Sequence, residues 1–131
     1  MGGGPEGDLL RGGHLRKNSD QAIVLANANL FETSWYMRGL EQAFEDMMLR
    51  PDLIHLIMDR VTAFFTAYFY KILKRCPGEI DMVFTADDIG HQDGLLLSLE
   101  MWEEFIKPYH VRSFPFYPGG DASRKYRGLF R

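Results

Sequence analysis

The densest grouping of chemically capable side chains is the run Asp87-Asp88-Ile89-Gly90-His91-Gln92-Asp93-Gly94. Neighbouring carboxylates in different environments can divide acid and base work between them, or grip a cationic nitrogen. Gly90 and Gly94 supply backbone angles that other residues resist. The three carboxylates and one imidazole also offer donors to a divalent cation, but neither a His-Glu-x-x-His nor a calcium-loop spacing is present, and no metal is assigned. A plainer reading fits the same dipeptide: one aspartate caps a turn and the other is solvated.

A second grouping is Phe31-Glu32-Thr33-Ser34-Trp35-Tyr36-Met37-Arg38-Gly39. The Tyr36 hydroxyl and the Arg38 guanidinium suit a carboxylate substrate. Equally, Trp35 and Tyr36 fit a core and Arg38 a solvated surface. The chain has no phosphate-cradling glycine loop and no Ser, His and Asp set at a recognised catalytic spacing. His14, His55 and His110 stand apart from these groups, and each reads as structural.

Both groupings follow stretches of strand character. Residues 22–26 are continuously apolar, the pattern of a parallel-sheet strand covered on both sides. Residues 79–86 form a second candidate strand, and the Asp87–Gly94 loop follows at once. Between them the spacing predicts a helix over 33–48, with Leu40, Ala43, Phe44, Met47 and Met48 on one face. Arg50-Pro51-Asp52 interrupts it, and a second helix follows over 52–74. This one places Leu53, Ile57, Val61, Phe64, Tyr68 and Ile72 inward and His55, Asp59, Thr62 and Thr66 outward. Ser98 is a natural N-cap for a helix over 99–107, which Pro108 ends. Strands alternating with crossover helices predict a parallel pair within an α/β fold. In such folds ligands bind beyond the carboxyl ends of the strands.

Composition limits the partners. The chain has 131 residues, 46% of them hydrophobic, enough for one domain with a core. Its net charge of −3 is unevenly spread. Residues 18–110 carry fifteen acids and seven bases, whereas 111–131 carry five bases and one acid. An acidic body argues against nucleic acid, and the short basic tail is an ordinary solvated segment or a weak anion-binding one. Cys76 is the only cysteine, which excludes an intramolecular disulfide and a cysteine-cluster zinc site. The glycine-rich start lacks a secretory apolar core, and Asp59 and Arg60 break the best candidate for a membrane span. The expectation is a cytoplasmic protein without membrane contact: a flexible leader over 1–19, a folded segment over 20–110 and an irregular basic tail over 111–131.

Four segments together resemble the uroporphyrinogen decarboxylase superfamily. They are Leu30 through Gly39 with Phe44-Glu45-Asp46 and Arg50-Pro51, Phe84 through Leu95, Ser98 through Trp102, and Phe105-Ile106-Lys107-Pro108-Tyr109-His110. The resemblance spans about residues 15–110 and leans toward the decarboxylase-like and methyltransferase-like branch. It implies a (β/α)₈ barrel, a fold that typically needs about 250 residues, so about two βα units of a partial barrel are expected here. The family's amino-terminal arginines and essential aspartate, and its late-barrel histidine, have no counterpart.

For the decarboxylase branch the resemblance implies loss of CO₂ from acetate side chains of a tetrapyrrole, without a cofactor. Buried carboxylates suit the positive charge of a protonated pyrrole. Tyr36 and Asp88 fall at the catalytic positions, and Asp87, Arg38 and Gln92 at substrate-binding ones. For the methyltransferase branch the resemblance implies methyl transfer between a corrinoid and a zinc-bound thiol, but the His-x-Cys and later Cys ligands are not in this sequence. A non-catalytic remnant or interaction module that self-associates through apolar faces is the third expectation.

Overall fold

Val24–Ala26 and Met82–Phe84 form strands β1 and β2, which pair in parallel with Leu25 opposite Val83. Parallel neighbours need a crossover connection. Here it consists of three helices, α1 (Leu30–Arg38), α2 (Leu40–Leu49) and α3 (Pro51–Arg75). The computed structural model describes Lys17 and residues 20–113; the rest of the expected leader and the tail beyond Ser113 lie outside them. The described part is a mixed α/β fold, as the strand and helix patterning predicts.

The strands are shorter than expected and covered on one face only. Side chains alternate across a strand, so the register places Val24, Met82, Ala26 and Phe84 on the same face. All four are exposed, while Leu25 is buried and Val83 half-buried on the other face. A continuous apolar run therefore does not mean two covered faces within the described residues.

The helix expected over 33–48 is two helices. Gly39 separates them at φ +84°, and its N–H donates to the Trp35 carbonyl as α1 ends. A Cβ there would meet nothing within 4 Å, so the left-handed backbone and not crowding favours glycine. In α2, Ala43 and Met47 are buried, but Met48 is exposed.

Pro51 opens α3, where a missing N–H costs nothing. The buried face of this helix is displaced by one residue from the expected one. Ile54, Met58, Val61, Thr62, Phe65, Phe69 and Ile72 point inward, whereas Phe64 is 66% exposed and Tyr68 37%. The stripe drifts because 25 residues at 3.6 per turn span several neighbours in succession. α1, α2 and α5 all pack on α3. Fully burying one aromatic here is worth about 1.5–3 kcal/mol, which makes the α3 face the main organiser of the core.

After β2 the chain forms a small antiparallel hairpin, β3 (Gly90–His91) with β4 (Gly94–Leu95), which sequence patterning did not reveal. Ser98 caps α4 (Leu99–Phe105) as expected, its Oγ accepting from Met101 N at 3.2 Å. Pro108 does not end the helical region. The break falls at Ile106, and Pro108 lies in the first turn of α5 (Lys107–Ser113), a position that tolerates proline. Residues 111–113 thus belong to a helix and not to an irregular tail. No described helix is long and apolar enough to cross a membrane.

Candidate functional site

The two groupings meet through Asp87. From just beyond the carboxyl end of β2, its Oδ2 accepts from Phe31 N and its Oδ1 from Glu32 N, both at 3.0 Å. A helix leaves its first N–H groups without intrahelical partners, and a carboxylate there also meets the positive end of the helix dipole. Asn29, the residue at the local N-cap position, makes no side-chain cap bond, so a distant residue does the work. His110 Nε2 lies 2.6 Å from Asp87 Oδ2. Only 4% of the Asp87 side chain and 16% of the His110 side chain remain exposed. One carboxylate thus joins the end of β2, the start of α1 and the middle of α5.

The turn between β1 and α1 lies beside this junction. Asn27 at φ +137° and Ala28 at φ +72° both take backbone angles rare for residues with a Cβ. Asn27 N donates to the Phe84 carbonyl at 3.1 Å, and the Asn27 side-chain oxygen accepts from Ala28 N at 3.0 Å. Ala28 is fully buried. Strain of this kind persists only where the surroundings over-determine it.

The other expected site residues are dispersed. Asp88 and Gln92 are exposed on the loop and hairpin after β2, and neither bonds another described residue. In the same hairpin, His91 Nδ1 accepts from Asp93 N at 3.2 Å. Tyr36 is 69% exposed and lies against Trp35, ring centroids 4.1 Å apart. Trp35 Nε1 is buried with no partner among the described residues. Arg38 was expected near a strand's carboxyl end but sits at the far end of α1. Seven residues at 1.5 Å rise put it about 10 Å along the axis from the capped N–H of Phe31.

Arg38 is also occupied. Its Nε donates to Asp46 Oδ2 at 2.7 Å, while Arg50 donates to Asp46 Oδ1 at 2.8 Å and Gln42 Nε2 at 3.2 Å. Asp46 is 1% exposed. The Arg38 hydrogen bond, opposed in part by burial and helped by Arg50 and Gln42, holds its carboxyl at about 2. The same pair raises the Arg38 pKa. This network clamps the α1–α2 corner.

A different cluster binds α3 to the last two helices. Tyr109 Oη meets His55 Nδ1 at 2.6 Å and donates to the His55 carbonyl at 3.3 Å. Phe105 stacks on the imidazole at 4.9 Å, and Arg112 lies over the Tyr109 ring at 4.7 Å while pairing with Asp59. Burial, then the Asp59 charge, pushes the Tyr109 phenol up. An open groove lined by Asp59, Thr62, Thr66, Tyr70 and Arg112 adjoins this cluster and contains none of the expected site residues.

The sequence signalled Asp87 but not its partner. His110 lies 23 residues further on in another helix, and no local period connects the two. Among the described residues, no three His, Cys, Asp or Glu side chains are grouped to hold a metal ion. No family model, curated protein or solved structure matches the chain.

Proposed function

We propose that the chain contributes a substrate-facing wall to a (β/α)₈ barrel of uroporphyrinogen decarboxylase type, working in cofactor-free decarboxylation of tetrapyrrole acetate side chains. The observation that carries this reading is the parallel β1–β2 pair, with Asp87 joining the segments that follow both carboxyl ends. Parallel α/β folds bind ligands at that end. The resemblance supplies the chemistry: Asp88 and Tyr36 act on the substrate, and Asp87, Arg38 and Gln92 help to hold it. Exposed Asp88, Gln92 and Tyr36 are open to a ligand, whereas Asp87 and Arg38 act through the contacts they already make.

Several substrate carboxylates demand several placed cations, and misplacement of about 1 Å can cost a hundredfold in rate. Arg38 is already committed to Asp46. The chain alone should therefore bind uroporphyrin weakly, in a salt-sensitive way, and show no measurable turnover of uroporphyrinogen. Fluorescence titration reads the first, and anaerobic incubation with chromatographic separation reads the second. Binding that Asp88→Asn and Tyr36→Phe both alter supports the reading; no binding at low salt overturns it. Turnover that disappears in Asp88→Asn would keep the site and overturn the view that the chain needs further barrel units.

One observation favours a second reading, a non-catalytic association module. The exposed sheet face of Val24, Met82 and Phe84 is apolar and uncovered among the described residues. That reading predicts association that none of the loop substitutions changes.

A further inference from the structure

We infer that Asp87 and His110 form a proton-transfer couple, in which the buried carboxylate orients the imidazole and His110 Nδ1 is the working nitrogen. Asp87 accepts from Phe31 N and Glu32 N at 3.0 Å each, and its Oδ2 lies 2.6 Å from His110 Nε2. An ionised carboxylate has no proton to donate, so in this contact Nε2 carries it. In the neutral ring the lone pair then lies on Nδ1, which bonds no other described residue. His55 differs: Nδ1 meets Tyr109 at 2.6 Å and Nε2 faces Glu104 at 3.8 Å. An imidazole fixed at one nitrogen by a carboxylate and bare at the other is the arrangement of a general acid or base.

The cap on α1 is complete with the two backbone N–H bonds, so the His110 contact goes beyond capping. The histidine adds an ionisable group at the end of the strands, beside the strained turn at Asn27 and Ala28. The role rests on the proposed function only in naming the substrate. There, with the pyrrole protonated by solvent, the bond between the acetate methylene and its carboxyl breaks, CO₂ leaves, and the electron pair forms an exocyclic double bond that neutralises the ring. His110 Nδ1, having taken a proton from water, gives it to the methylene carbon and returns to the neutral ring, and the pyrrole releases its extra proton to the hydroxide left behind.

Carbethoxylation of histidines, mapped by peptide mass spectrometry, tests this on the intact folded chain, with uroporphyrin as the protecting probe. The expected result is modification of His110 before unfolding, at a rate reduced severalfold by uroporphyrin, while His55 is unaffected. Long-range proton–nitrogen NMR should show His110 in its Nε2–H form, and that form should be lost in Asp87→Asn. A His110 that stays unmodified until the chain is denatured, or that carries its proton on Nδ1, overturns the couple. Uroporphyrin that binds without slowing the modification also overturns it and leaves the proposed function standing. A reactive, correctly protonated His110 with no uroporphyrin binding supports the couple and overturns the tetrapyrrole reading.

Discussion

His110 Nε2 lies 2.6 Å from Asp87 Oδ2, in a contact that bridges 23 residues and ties the last described helix to the end of β2. The same oxygen accepts from Phe31 N, so the contact stabilises the start of α1 as well as α5. Replacing Asp87 by Ala should cost about 2 kcal/mol, from loss of the helix cap and of the His110 bond. Urea unfolding measures it, with a lower midpoint at an unchanged slope. A change below about 0.5 kcal/mol would mean the junction is not a cap at all.

The Asp46 cluster should make stability depend on acid. Its folded pKa of about 2 lies below the ordinary 3.8. A depressed carboxyl contributes stability that is fully present above the unfolded value and is lost as pH falls through the folded one. Stability should therefore decline between about pH 4 and pH 2, and Asp46→Asn should be less stable at neutral pH and decline less steeply. Equal acid dependence of the two proteins in thermal melts would remove Asp46 from the account.

The displaced face of α3 separates two adjacent phenylalanines. Phe65 is 7% exposed and Phe64 is 66% exposed. Phe65→Ala should cost about 3–5 kcal/mol by opening a cavity. Phe64→Ala should stay within about 0.5 kcal/mol. Reversal of that order in chemical denaturation would restore the face expected from spacing.

The open face of the β1–β2 pair should be adhesive. Val24, Met82 and Phe84 are 42, 50 and 54% exposed and adjacent in register. Exposed apolar patches and unpaired strand edges promote association. The chain should bind a hydrophobic dye and elute as oligomers, and a Met82→Lys, Phe84→Lys double variant should lose most of both. A dye-negative monomer with a sharp melt would contradict this expectation.

Local patterning in the sequence determined the element types and their order. Pro51 and Ser98 mark helix starts because the missing donor and the capping hydroxyl act within one turn. Two strands joined by a long helical connection have the crossover that parallel pairing requires, and they pair in parallel. Asp87 was legible as a chemically notable residue because its strand-end position is itself a local feature. What the tertiary structure decided is every relationship that spans elements. The inward choice of Phe65 over Phe64 depends on which neighbours cover α3. Likewise Arg38 faces Asp46 and not a strand end, and Asp87 meets His110, because ion pairs and hydrogen bonds form between whatever groups packing brings within about 3 Å. Periodicity carries information over a turn or two of helix; it carries none about which distant carboxylate an imidazole will meet.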